Sequence, residues 1–224
     1  MSRNALLLMT RTPEPGFTKT RMMPDLSAQE CAELHQCLLA DAGQLCRDLS
    51  DMCDAFVAFA PAGATHEAAV RAALDLQHAT CFVQDGASMG ERMRNAVSRV
   101  FDAGYDRCAL LGADSPELRA ADVRDALGKL DEADVVIGPA NDGGFYLMAL
   151  KAPSPELFAL ESYGHERVFE QTLELARLAG LRCVQLRNAS DLDCVHDARA
   201  LLDRASRDER LAGLHSVAYL RDKL

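Results

Sequence analysis

Short apolar runs alternate along the chain with longer stretches in which apolar residues recur every three or four positions. The short runs read as buried strands and the periodic stretches as amphipathic helices. Seven strands are predicted, at residues 5–9, 55–59, 81–84, 108–112, 135–138, 145–149 and 182–186. Helices are predicted from 28 to about 49, over 65–74, from 89 to about 103, and over 122–130, 167–179 and 196–204. Ser27 with Glu30, and Ser88 with Glu91, have the spacing of capping boxes, which mark helix starts. Strands that are apolar throughout and separated by helices imply an α/β fold, a mainly parallel sheet covered on both faces. With no internal repeat and no linker rich in Pro, Gly and Ser, the chain reads as one domain, 1–224. Ligands of such sheets bind beyond the carboxyl ends of the strands. The loops after the first, fourth, sixth and seventh strands are therefore expected to hold the chemistry.

Composition changes this picture in two ways. First, the net charge is −10, which opposes binding to a polyphosphate backbone, so no nucleic-acid partner is expected. Second, the eight cysteines include no C-x-x-C pair, so they read as small buried hydrophobes of a reducing cytoplasm. Apolar runs such as Ala5 to Met9 are far too short to span a bilayer. Met1-Ser2-Arg3-Asn4 does not make a secretory signal. A cytoplasmic protein without a membrane partner is expected.

Against this acidic background the first loop is basic. Thr10 to Arg21 carries Arg11, Lys19 and Arg21 against the single acid Glu14. That suggests an anionic ligand, with Gly16 letting backbone approach a phosphate and the cations neutralising it. The alternative is a solvated surface loop. Neither the P-loop nor the dinucleotide fingerprint is present. The fourth strand ends in Gly112-Ala113-Asp114-Ser115-Pro116. A carboxylate there needs compensation, which a divalent cation, Mg or Mn, would supply; otherwise Asp114 caps the next turn. Asn141-Asp142-Gly143-Gly144 reads either as a tight hairpin or as a loop that approaches a substrate, with Asp142 on hydroxyl or amine groups. After the seventh strand, Asp191 and Asp193 either complete a cation site begun by Asp114 or open a helix, with Asp193 as cap and Asp197 in its first turn. Gln84 to Arg94 reads as a strand-to-helix turn in which Gly86 and Gly90 permit close approach.

Taken in order, these segments resemble a known family. They are Pro-Gly-x-x-Lys-Thr-Arg, Gln-x-Gly-x-x-x-Gly-Glu-Arg-Met, Gly-x-Asp-Ser-Pro, Gly-Pro-Ala-x-Asp-Gly-Gly-Phe-Tyr-Leu and Asp-x-Asp-x-x-x-Asp. The chain is similar over about residues 4–203 to the bacterial DUF2064 family, also called radical-SAM/selenodomain-associated transferases. That family is similar in fold to nucleotide-diphospho-sugar transferases of the GT-A type. The resemblance implies a three-layer Rossmann-like sheet that binds a nucleotide at the end of the first strand. It implies a divalent metal on Asp114, with Asp191 or Asp193 as partner carboxylate, and phosphates facing Lys19 and Arg21. The chain differs from the family pattern at Ser162-Tyr163-Gly164-His165, where a Trp-containing segment is expected, and at Cys194, where Thr is usual.

The leading expectation is a metal-dependent transferase that passes a glycosyl group from a nucleotide sugar to a small-molecule acceptor. Asp114, Asp142 and Lys19 would be catalytic, Arg11, Gly16, Lys19 and Arg21 would bind the nucleotide phosphates, and Asn141, Asp142, Gly143 and Gly144 the substrate. The alternatives are a nucleotidyltransferase that releases pyrophosphate from an NTP, and a non-catalytic nucleotide-binding module. The tail carries apolar Leu211, Leu214, Val217, Ala218 and Leu220, which pack either on the core or on a second subunit of a homo-oligomer.

Overall fold

Each of the seven apolar runs forms a strand of one sheet in the computed structural model, which describes residues 2–224; Met1, part of the amino-terminal segment considered above, lies outside the described residues. The strands are β1 (Asn4–Arg11), β2 (Cys53–Ala60), β3 (Thr80–Val83), β4 (Arg107–Gly112), β5 (Val135–Pro139), β6 (Phe145–Leu150) and β7 (Cys183–Gln185). Their order is β3-β2-β1-β4-β6-β5-β7. Every neighbouring pair is parallel except the two made by β6, which runs antiparallel between β4 and β5. The fold is α/β with a mainly parallel mixed sheet, as expected. The sequence 140–144 is the hairpin that turns β5 back into β6, and Gly143 has a φ of +89° there. A Cβ on Gly143 would also lie 2.0 Å from the Glu166 carbonyl oxygen, so only glycine fits.

Helices α1 (Ala28–Asp48), α2 (Ala64–Leu74), α3 (Met89–Asp102), α4 (Ala120–Lys129), α5 (Val168–Leu178) and α6 (Val195–Ala205) follow the predicted periodic stretches. Alternation along β1 feeds both layers: Leu6 and Leu8 pack with α1, α2 and α4, while Ala5 and Leu7 pack with α3 and α5. The Ser27 box is complete, with side chain and backbone bonded reciprocally to Glu30. The Ser88 box is only half formed. Ser88 Oγ accepts from Glu91 N, but Glu91 accepts from Ala87 N instead of Ser88 N.

Two short helices, α7 (Glu209–Ala212) and α8 (His215–Lys223), close the chain. Leu211, Val217 and Leu220 are buried with Leu34 and Leu38 of α1 and Leu201 of α6, so the tail packs on its own core. Leu214 is half-buried and Ala218 exposed. Asp41 of α1 accepts hydrogen bonds from His215 N and Ser216 N at the start of α8. All eight cysteines are free, and burial pushes the Cys46 thiol up to about 12, away from reactivity. Among the described residues no helix is long and apolar enough to cross a membrane.

Candidate functional site

The strand order reverses at β1. The chain runs outward from β1 to β2 and β3, then returns to place β4 on the other edge of β1. Such a switch point opens a crevice at the carboxyl ends of the two strands. Here it is a cavity of about 370 Å³ walled by the loops after β1, β3 and β4, with Asp142 and Asp193 closing the far side.

Lys19 is its centre. The side chain is only 5% exposed, and its Nζ lies 2.6 Å from Asp114 Oδ1 and 3.4 Å from Asp193 Oδ1. It also donates to the Leu192 carbonyl at 2.7 Å. Burial alone would lower the ammonium pKa, but Asp114 and then Asp193 outweigh it and hold Lys19 above the ordinary lysine range. Burial likewise works to raise the Asp114 carboxyl, and Lys19 outweighs it, so Asp114 stays below the usual carboxylate range. Lys19 has φ +50°, a left-handed conformation uncommon outside glycine. Strain of that kind costs on the order of 1 kcal/mol and persists where surrounding contacts hold it. The ion pair with Asp114 is such a contact.

The loops are joined by backbone as well as by charge. Leu192 N donates to the Asp114 carbonyl at 2.9 Å, and Ser115 Oγ donates to the Asp191 carboxylate. Arg21 reaches Asp193 Oδ2 at 3.2 Å. Asp191 stands apart electrostatically. Burial raises its pKa to about 6, Ser115 opposes this, and the nearby Asp114, Asp142 and Asp193 raise it further. Asp193 is not the helix cap that the sequence allowed. Cys194 holds that position, and Asp197 Oδ2 accepts from Asp193 N and Cys194 N. Asp193 is thereby free to face the cations.

The predicted residues divide cleanly. Arg11, Lys19, Arg21, Asp114, Asp142 and Asp193 all line the cavity. Gly16, Asn141, Gly143, Gly144 and Asp191 do not. Gly16 makes a left-handed turn at φ +81° behind Phe17, and Arg11 Nη1 donates to the Phe17 carbonyl, which holds the loop. Asp142 Oδ1 accepts from Gly144 N, the local turn that the Asp-Gly pair favours. Asn141 and Asp191 line a neighbouring acidic cavity instead.

Among the lining residues given no site role from sequence are His35, Gln84 and Arg92, the last two in the strand-to-helix turn over 84–94. His35, 4% exposed on α1, donates from Nε2 to the Arg11 carbonyl at 3.0 Å, which leaves Nδ1 unprotonated and without a partner. Burial lowers its pKa, so it stays neutral. Gln84 donates to the carbonyls of Thr10 and Ala58, bracing the ends of β1 and β2. Arg92 adds a further guanidinium, tied to the Gly86 carbonyl. His35 sits on a buried helical stripe among Leu34, Leu38 and Leu39, a pattern that reads as core.

Do these groups suit a divalent cation? Apart from the ion pair with Lys19, the buried Asp114 Oδ1 has no hydrogen-bonding partner. Hard cations take such oxygens. Among the described residues, however, no three metal-binding side chains stand in one coordinating group. One or two carboxylates completed by substrate phosphates is the usual arrangement for Mg²⁺, and these residues fit that arrangement rather than a cage made by protein alone.

A family model described as "Uncharacterized protein conserved in bacteria (DUF2064)" matches residues 46–165. Among solved structures, a Desulfovibrio desulfuricans protein described as a "putative nucleotide-diphospho-sugar transferase" is 32% identical, with a TM-score of 0.91 over 99% of this chain and 95% of that one. Two more distant structures share the fold. CMP:2-keto-3-deoxy-manno-octonic acid synthetase, complexed with CTP, is 12% identical with a TM-score of 0.56 over 91% of this chain and 99% of that one. A Mycobacterium tuberculosis protein solved as a manganese complex is 16% identical with a TM-score of 0.56 over the same shares. No curated protein matches the chain.

Proposed function

The chain belongs to the DUF2064 family of bacterial proteins, and on that premise we propose that it is a nucleotide-dependent transferase whose donor is a nucleotide sugar. The observation that carries this reading is the buried Lys19 ammonium, in strained backbone, held between Asp114 and Asp193 where the strand order reverses. A lone phosphate-binding loop needs no such carboxylates, and a lone acidic site needs no such lysine. Together they suit a diphosphate and a cation bound side by side.

In this reading Lys19, Arg11 and Arg21 bind the diphosphate, and Arg92 closes on it from the loop after β3. Asp114, with Asp191 or Asp193, holds Mg²⁺ or Mn²⁺. When bound, the cation neutralises charge on the leaving nucleoside diphosphate. Asp142, on the rim shared with the acidic cavity, orients or deprotonates an acceptor hydroxyl. Phe17 and Met89, both exposed apolar residues of the cleft wall, offer a surface for a nucleobase. Neutral His35 fixes the β1 end by its bond to the Arg11 carbonyl.

The test is a thermal-shift screen of the purified chain with nucleoside diphosphates and triphosphates, each with and without Mn²⁺ or Mg²⁺. Bound ligand raises the midpoint as ln(1 + [L]/Kd). A metal-dependent shift with one diphosphate supports the donor site and identifies the base. The fold shared with a synthetase solved with CTP keeps a second reading in view, nucleotidyl transfer. A stronger shift with a triphosphate, and pyrophosphate released on turnover, selects that reading and sinks glycosyl transfer. No shift with any nucleotide leaves a non-catalytic module.

A further inference from the structure

Behind the loop that carries Asp114 lies a second cavity, of about 310 Å³, which shares no lining residue with the first. Its walls hold Arg119, Arg187, Arg204, Arg207 and Arg210 against only Glu117 and Asp208. In a chain of net charge −10 such a concentration of guanidinium is not a sampling of the average surface. Three of the five are engaged. Arg187 forms a forked pair with Asp122, Arg204 pairs with Glu117, and Arg207 lies 2.9 Å from Asp203. The other two are held more loosely. Arg119 comes no closer than 3.7 Å to Asp208, whose Oδ1 already accepts from Arg210 N and Leu211 N. Arg210 makes no ion pair among the described residues, and its Nη2 meets only the Glu117 carbonyl at 3.3 Å. Burial and then the neighbouring Arg119 hold the Arg210 guanidinium below its ordinary range, and Asp208 and Glu117 only partly offset them.

We propose that this cavity is a second ligand site, which takes a compact polyanion bearing phosphate or carboxylate groups on the forks of Arg119 and Arg210. Guanidinium presents parallel N–H donors that match either oxyanion, and two of them converging on one space fit a ligand with at least two negative charges. The site needs no metal, because the arginines supply the positive charge themselves. It does not depend on the transferase reading, since it uses none of the cleft residues.

The experiment is isothermal titration of the metal-free full chain with inorganic pyrophosphate and, separately, with citrate. Wild type is expected to bind at least one of them in an arginine-dependent site. Arg119→Ala/Arg210→Ala should weaken that binding at least tenfold, with an unchanged unfolding midpoint showing that the fold survives. Arg119→Lys/Arg210→Lys, which keeps charge but loses the fork, should fall between the two. Lys19→Ala should leave this site intact. Should pyrophosphate also enter the first cleft, a second equivalent appears that Lys19→Ala removes, so the two readings fail separately. Preference for pyrophosphate assigns a phosphate ligand, and preference for citrate a polycarboxylate. No binding of either anion, binding untouched by the double arginine substitution, or binding lost wholly with Lys19→Ala overturns the proposal.

Discussion

The loops after β4 and β7 build two cavities that differ in how their charges are balanced. Toward the cleft they turn Asp114 and Asp193; toward the back they turn Glu117 and Arg187, with the arginines of the α6–α7 region beside them. In the cleft one buried ammonium serves two carboxylates, while Asp191, in the neighbouring acidic cavity, is held near 6 by burial and then by the acids around it. At the back the cations outnumber the acids, and neither Arg119 nor Arg210 has a carboxylate within hydrogen-bond distance among the described residues. The difference teaches that net charge says little about what a given surface binds. It also predicts distinct behaviour: anions should enter the cleft with the help of a divalent cation and enter the back without one.

The largest expected effect lies on the cleft side. Asp114→Asn should abolish metal-dependent donor binding, roughly a hundredfold or more, while the fold stays intact. Titration with the diphosphate found in the thermal screen would show it, and unchanged affinity in Mn²⁺ would count against the metal role. Lys19→Ala comes next. It should weaken diphosphate binding by about 1–3 kcal/mol, the usual loss for a charged hydrogen bond. Affinity that holds would reduce the first loop to a surface feature and erase the contrast between the cavities.

A third test asks whether burial among acids keeps Asp191 from ionising in the ordinary range. Burial holds the folded Asp191 carboxyl at about 6, against an ordinary aspartate value of 3.8. A raised acid contributes stability while protonated, fully present below about 4 and lost as pH rises through about 6. In metal-free protein at pH 7, Asp191→Asn should therefore stabilise by about 1–2 kcal/mol, a figure lowered for the partial exposure of the residue. Urea unfolding at pH 7 and pH 4 should show the gain at the first and little at the second. Equal effects at both would mean that the fold does not raise the Asp191 carboxyl. Smallest is Arg21→Ala. The Arg21–Asp193 pair is largely exposed, at 67% and 37% of the side chains, so its loss should cost less than about 1 kcal/mol of stability. It should also reduce diphosphate affinity less than Lys19→Ala does. A larger loss for Arg21 would shift the centre of the phosphate site outward.

Most of the fold could be read from the chain. Buried strands of a parallel sheet are apolar throughout, and helices repeat at three to four residues, so both patterns are local and survive without the tertiary structure. The same locality made Arg11, Lys19, Arg21, Asp114 and Asp193 legible, because strand ends are where such sheets bind ligands and each residue follows a readable strand. His35 was not legible, since a histidine on a helical core stripe looks like packing until β1 is laid across it. The role of Asp193 was undecided for a similar reason: capping by Cys194 and Asp197 is settled by backbone geometry, not by spacing. The back cavity was least visible of all. Its arginines are separated by as many as 91 positions, from Arg119 to Arg210, and no short motif joins them. Sequence by itself determined the elements, their order in the chain and the acids and bases at the strand ends, because those follow from hydrophobic periodicity and local chemistry. Only the tertiary structure decided which charges meet, because pairing depends on strand order, and strand order brings Lys19 to Asp114 and leaves Arg210 without an ion pair among the described residues.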